Sequence, residues 1–168
     1  AIEQSCDIYF YQVGRLVGVD SLAYYAKLFG LGSPTGFILK NEKVGVVPTR
    51  KWKKETLKTP WQGGETLLTA IGQSFILVTP LQILVVISAI ANNGKIYLPQ
   101  LVKKVEDNHG KAIKVFQPKC VSHIPVSLKS FGVIKEALRR VVQSPHGTGR
   151  VARIKGVELA GKTGTAQV

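Results

Sequence analysis

The chain has 168 residues, 45% hydrophobic and 8% aromatic, which is enough apolar side chain for one sizeable core and too much for an intrinsically disordered segment. Lys and Arg outnumber Asp and Glu 23 to 10, a formal charge of +13, so anionic partners such as nucleic acid, anionic lipid and acidic polymers are the classes to test. Two cysteines, Cys6 and Cys120, are too few for a disulfide framework, and AIEQSCDIYF lacks the basic, apolar and small-residue succession of a signal peptide. There is no Met, and both ends read as cut, so a fragment is expected.

In chain order, DIYFYQVGRLVG (7–18) predicts a helix capped by Asp7, with Ile8, Tyr11 and Arg15 or Leu16 at helical spacing. DSLAYYAKLFG (20–30) predicts a second, capped by Asp20, with Leu22, Tyr25, Ala26 and Phe29 on one face and Gly30 as terminator. GLGSPTGF follows a helix instead of opening one after a strand, so it reads as a turn and not as a dinucleotide fingerprint. Residues 37 to about 66 are expected to be irregular, punctuated by Pro48, Pro60 and Gly63-Gly64. Within them RKWKKETLK (50–58) is the densest basic run. Its Trp52 could stack a base, but no nucleic-acid motif accompanies it, so the run reads as a solvated loop whose Trp packs inward, with no nucleic-acid partner.

FILVTPLQILVVISAIANNG is the most apolar stretch and must be tested as a membrane span. Thr79-Pro80 starts a helix and Asn93-Gly94 ends it, leaving about 13 residues or roughly 20 Å against roughly 30 Å of hydrocarbon, so a buried core helix is expected. LVKKVEDNHGKAIKVF alternates around Asn108-His109-Gly110 as a hairpin does. CVSH (120–123) is half of a metal site, but His109 and His146 fall in no ligand spacing with it, and neither metal nor cofactor is expected. SLKSFGVIKEALRRVVQS predicts an amphipathic helix with Phe131, Ile134, Leu138, Val141 and Val142 inward. GTGR is then a loop, and VELAGKTGTAQ alternates Val157, Leu159 and Gly161 like an incoming strand.

GVELAGKTGT fits the phosphate-loop pattern from Gly156 to Thr163 and also contains Lys-Thr-Gly, one corner of a penicillin-reactive site. The phosphate reading fails. Val157 and Leu159 would sit inside the loop, Glu158 would place negative charge beside phosphate, Gly164-Thr165 would start a helix poorly, and five residues leave no room for a following sheet. Lys-Thr-Gly at the end of an alternating segment suits a strand bordering a cleft, where Lys162 supplies charge, hydroxyls bind a carboxylate and Gly lets another backbone approach. Ser5-Cys6-Asp7 supplies a second corner, a hydroxyl and a carboxylate two residues apart; alone it would be a helix cap.

Taken together, SCDIYFYQVGRLVG, EKVGVVPTRKWKKETLKTPWQGGETLLTAIGQSFILVTPLQILVVISAIANNG and AGKTGTAQ resemble the transpeptidase domain of elongation-type class B penicillin-binding proteins, in the family's order. The resemblance implies an α/β (α+β) fold of the penicillin-binding transpeptidase and serine β-lactamase type, with helices packed on an antiparallel sheet. Residues 1–168 would then be one incomplete domain, from the Ser-x-Asp motif to Lys-Thr-Gly. By the same resemblance Ser5 would relay a proton to the leaving amine, and Asp7 would orient the substrate amide and the general-base Lys. Lys162 would hold Ser5 electrostatically. Thr163, Gly164 and Thr165 would line the substrate strand, the two threonines binding the terminal carboxylate and the Thr165 amide contributing to the oxyanion hole.

This sequence departs from the family pattern in three places. Asp7 stands where Asn is usual, so a neighbouring Lys is expected; Ser74 stands where a Gly is common in GQG; and no serine is followed by Lys three residues on, so the Ser-x-x-Lys nucleophile is absent from the 168 residues. The segment alone is therefore expected to be inactive, and an exposed sheet edge near Lys162 to favour self-association. The implied partners are a peptidoglycan stem peptide, β-lactams and, through the parent, elongation-complex membrane proteins. The parent would be anchored in the inner membrane and face the periplasmic or extracytoplasmic side. The alternatives are a serine β-lactamase or penicillin sensor, and a non-catalytic basic module binding an anionic polymer.

Overall fold

The computed structural model describes residues 1–38 and 41–165; residues 166–168, the end of KTGTAQV, lie outside them. Helix α1 (Asp7–Val17) is followed directly by α2 (Val19–Leu28). Asp7 and Asp20 are not the caps predicted from sequence: the N-caps are Cys6 and Gly18, neither with a side-chain cap bond, and each Asp sits inside the first turn. There a carboxylate favours the helix dipole. Asp20 is also used for a long-range tie, accepting from the Arg50 amide at 3.2 Å.

The buried face of α1 also differs from the spacing-based expectation. Ile8 and Leu16 are 73% and 82% exposed, whereas Gly14 is buried. A Cβ on Gly14 would lie 2.5 Å from the Ala70 Cβ of α4 (Gly63–Ala70), so α1 and α4 approach where Gly14 has no side chain.

Between α2 and α4 lies a helix that the sequence reading placed in an irregular stretch, α3 (Arg50–Leu57). Thr49 caps it, accepting from the Trp52 amide at 2.9 Å, and Lys58 closes it in the left-handed conformation at φ 57. Pro48 and Pro60 flank the helix and do not break it. Trp52 packs inward against Phe75, with centroids 5.7 Å apart. Its neighbour Lys53 is only 5% exposed. The Lys53 ammonium meets the Glu65 carboxylate, donates to the Pro60 carbonyl at 2.9 Å and lies 5.5 Å from the Phe75 centroid and 6.0 Å from that of Trp61. Part of the basic run is thus an internal brace between α3 and α4.

Helix α5 (Pro80–Ala91) starts as predicted, with Thr79 capping and Pro80 in the first turn. Gln82, 1% exposed, completes a capping box with Thr79 and donates to the Ser33 and Val44 carbonyls at 2.8 and 2.9 Å. The inward face of α5 is buried through Val85 and Ala89, while Ile83, Leu84 and Ile87 on the other face are 45%, 58% and 41% exposed. The helix is therefore buried on one side only among the described residues. No helix among them is long and apolar enough to cross a membrane.

Strand β1 (Lys95–Tyr97) pairs antiparallel with β4 (Cys120–His123), and between them β2 (Lys104–Glu106) and β3 (Ala112–Val115) form the predicted hairpin. Among the described residues the antiparallel component is thus two separate two-stranded sheets. Helix α6 (Leu128–Gln143), capped by Ser127, buries Phe131, Val141 and Val142. Val85, Ala89, Ile96, Ile124 and Phe131 make one core, joining α5 and α6 across the β1–β4 pair. This mixed α/β arrangement agrees with the fold expected from sequence.

Burial pushes the Glu65 carboxyl up, but bonds from the Gln62 amide and Lys53 outweigh it and leave the group below its ordinary range. A depressed folded value contributes stability that is complete above the unfolded Glu range and lost as pH falls through the folded value. We expect Lys53→Ala, which leaves Glu65 without its cation, to cost about 3 kcal/mol in a urea melt at neutral pH. The difference from wild type should narrow on acidification; an equal cost at low pH would contradict the ion-pair origin.

Candidate active site

The two sequence corners sit at opposite ends of the chain, and the fold brings them together. Residues Ile2 to Ser5 form a turn, with the Ser5 amide on the Ile2 carbonyl at 3.2 Å, and Ser5 itself stands at φ 50. A non-glycine residue in that region carries strain, which persists where surrounding contacts over-determine it. Those contacts come from the other end of the molecule. Lys162 Nζ donates to Ser5 Oγ at 2.5 Å, to the Thr163 carbonyl at 2.9 Å and to Thr163 Oγ1 at 3.1 Å. Ser5 Oγ lies 3.3 Å from Thr163 Oγ1.

The segment carrying Lys162 is not the strand that its alternation predicts. Residues 158–165 belong to no helix or strand and have no ladder partner among the described residues. They are tied to α6 piecemeal, by the Gly161 amide on the Leu138 carbonyl at 3.1 Å and by Gln143 Nε2 reaching the Val157 and Leu159 carbonyls at 3.4 Å. A Cβ on Gly164 would meet no described residue within 4 Å, so among the described residues that side of the run is open.

The remaining predicted residues are placed less tightly. Asp7 is exposed at the start of α1 and has no ion pair among the described residues, so the Lys expected beside it is not found there. Thr165 is exposed, and its carbonyl accepts from Gln73 Nε2 at 3.1 Å. Gln73 stands between Gly72 at φ 80 and Ser74 at φ 71. Ser74 therefore holds the left-handed conformation that a Gly would adopt freely.

Sequence reasoning missed two site residues, Gln73 and Thr148. Thr148 Oγ1 lies 3.1 Å from Thr163 Oγ1 and 3.4 Å from Ser5 Oγ. Its amide donates to the Glu3 carbonyl at 3.2 Å, and the Glu3 carboxylate pairs with Arg140 Nη2 at 2.7 Å. A hydrogen bond from Ser144 holds the Glu3 carboxyl below its ordinary range, helped by the charges of Arg140 and His146 and opposed by partial burial. The one local clue to Thr148 was a hydroxyl between two glycines after an amphipathic helix; its partners lie 143 and 15 residues away.

Helices pack with antiparallel strands, and a serine, a lysine and a threonine meet where the two ends of the described chain converge. The chain belongs to the penicillin binding protein transpeptidase domain family, whose model matches residues 1–168. It is 37% identical over 171 residues to the peptidoglycan D,D-transpeptidase MrdA of Haemophilus influenzae, covering 100% of this chain and 26% of that protein. It is 32% identical to the MrdA of Escherichia coli over 169 residues, again 100% of the chain and 26% of the relative. Among solved structures, the Helicobacter pylori penicillin-binding protein PBP2 superposes with a TM-score of 0.86 at 33% identity, covering 100% of this chain and 30% of that one. The chain thus spans about a quarter of the length of the curated relatives it matches.

Ser74→Gly removes left-handed strain without removing a described contact. It should raise stability by about 1 kcal/mol in chemical denaturation. A neutral or destabilising result would mean that the Ser74 side chain makes a compensating contact.

Proposed function

We propose that this chain is part of a peptidoglycan D,D-transpeptidase and forms two walls of its acyl-transfer pocket. The observation that carries the reading is the Lys162 ammonium on Ser5 Oγ at 2.5 Å, between residues 157 positions apart. Family membership and the 32 to 37% identity to MrdA proteins support it.

In this reaction an active-site serine of the parent, outside these 168 residues, attacks the carbonyl of the penultimate D-Ala of a stem peptide. The carbon–nitrogen bond breaks, the leaving D-Ala amine takes the proton of Ser5, and Ser5 is reprotonated from the nucleophile side through the general-base Lys. The acyl group then passes to an amine on a neighbouring strand. Lys162 stabilises negative charge building on the Ser5 oxygen during the transfer. Thr163 and Thr165 bind the terminal carboxylate, the Thr165 amide contributes to the oxyanion hole, and the open side at Gly164 admits the stem-peptide backbone along residues 158–165 as an added strand. Asp7, exposed and unpaired among the described residues, is available to orient the substrate amide and the parent's general-base Lys.

A β-lactam follows the same path, its ring nitrogen replacing the leaving amine. One solved relative is a Helicobacter pylori penicillin-binding protein in complex with MreC, and another belongs to a peptidoglycan synthase complex. We extend this to the parent: it works with membrane proteins of the elongation machinery, anchored in the inner membrane with this domain on the extracytoplasmic side. Residues 1–168 constitute an incomplete domain, inactive alone, whose exposed run near Lys162 favours self-association.

The full-length parent should form a stoichiometric, heat-stable adduct with a fluorescent penicillin, and Lys162→Ala should slow its formation by roughly a hundredfold. The 168-residue segment should form none. Adduct on the segment would refute its inactivity, and fast nitrocefin turnover by the parent would identify a β-lactamase instead.

A further inference from the structure

Thr148 lies in the loop between α6 and the 3-10 turn Arg150–Ala152, held by the Gly147 amide on the Ser144 carbonyl at 3.1 Å and the Gly149 amide on the Val141 carbonyl at 2.9 Å. A Cβ on Gly147 would stand 2.2 Å from the Val141 carbonyl oxygen, so the loop passes α6 only because that residue is glycine. The result is a third hydroxyl beside Ser5 and Thr163, on a rigid support.

Donors and acceptors in this cluster can be counted. An ammonium has three protons, and Lys162 directs them to Ser5 Oγ, the Thr163 carbonyl and Thr163 Oγ1. Ser5 and Thr163 therefore each receive one bond and each still have a hydroxyl proton to place. The Glu3 carbonyl, 3.4 Å from Thr148 Oγ1, can only accept, so it offers the Thr148 proton a place away from Ser5 and Thr163 and lets Thr148 turn its lone pairs toward the site. Thr163, at 3.1 Å, is the nearer donor to those lone pairs, and Ser5, at 3.4 Å, the farther. With the Thr163 proton drawn to Thr148, one Ser5 lone pair stays free, and the Ser5 proton has neighbouring oxygens at 3.3 Å (Thr163 Oγ1) and 3.4 Å (Thr148 Oγ1) that a substrate nitrogen can replace.

A relay needs both features. Ser5 must release its proton to the leaving nitrogen while accepting another from the nucleophile side, so a Thr163 hydroxyl pointing at Ser5 would block the accepting lone pair. We propose that Thr148 is a positioning residue that fixes the direction of the hydroxyl protons at this site, through its bond to the Glu3 carbonyl, and so keeps Ser5 competent to relay. The proposal rests on the reading of Ser5 as the proton relay.

The test uses the full-length parent and compares Thr148→Val, Thr148→Ala and Thr148→Ser in acylation by a penicillin, whose leaving nitrogen needs a proton, and by a D-Ala-type thioester, whose thiolate departs without one. Val and Ala should slow penicillin acylation roughly tenfold, the lower edge of acid–base contributions, while thioester acylation changes less than about twofold. Ser should restore both rates to within about twofold of wild type, because it keeps the hydroxyl. Equal slowing of both substrates, or wild-type penicillin rates in Val and Ala, would overturn the proposal; either hydroxyl-free variant suffices if the other does not fold. A wild-type parent that takes neither substrate would instead remove the reading of the site itself.

Discussion

The last two turns of α6 hold both ends of the chain, and the site exists because of that. On one side Arg140 pairs with Glu3 at 2.7 Å and the adjoining loop binds the Glu3 carbonyl; on the other, the Leu138 carbonyl takes the Gly161 amide. Closing a loop of the 157 residues between Ser5 and Lys162 costs on the order of 4 kcal/mol in chain entropy. One exposed ion pair does not offset that. The buried Val141 and Val142 of α6, beside a core shared with α5 and the β1–β4 pair, provide the larger apolar contribution.

Charge and strain coincide at the point of closure. Ser5 takes a left-handed backbone conformation and points its hydroxyl at an ammonium, with Thr163 and Thr148 as neighbours. Such geometry costs free energy locally and is maintained by contacts to the last turns of α6 and the loop that follows. A similar arrangement recurs at Gln73, which stands between two positive-φ residues and reaches the Thr165 carbonyl. Behind that turn, Phe75 is packed between Trp52 and Trp61 and beside the buried Lys53 ammonium. The basic run that the bulk charge singled out is thus partly scaffold, supporting a segment that touches the Thr165 carbonyl.

The parts of the fold legible in the sequence were those encoded by neighbouring residues. Thr79-Pro80 marked the start of α5, the alternation about Asn108-His109-Gly110 marked the β2–β3 hairpin, and the 3.6-residue spacing of Phe131, Val141 and Val142 marked α6. Each signal acts within a few residues, through a cap, a turn or a single apolar face. Where a local signal has two physical uses, the reading failed. Asp7 and Asp20 suit a cap and a first turn equally, and α3 was hidden because its charged residues read as a solvated loop although they are sound helix formers.

By itself, then, the sequence determined the family, the helices α1, α2, α5 and α6, the β2–β3 hairpin and the presence of Ser5, Asp7, Lys162, Thr163 and Thr165 in motifs at its two ends. Only the tertiary structure decided that Lys162 reaches Ser5, that residues 158–165 run without a ladder partner among the described residues, that Lys53 is internal and that Thr148 joins the cluster. Hydrogen bonds and ion pairs between residues far apart in the chain leave no periodicity in it. They follow from where α6 packs, which in turn depends on the burial of side chains contributed by several elements at once.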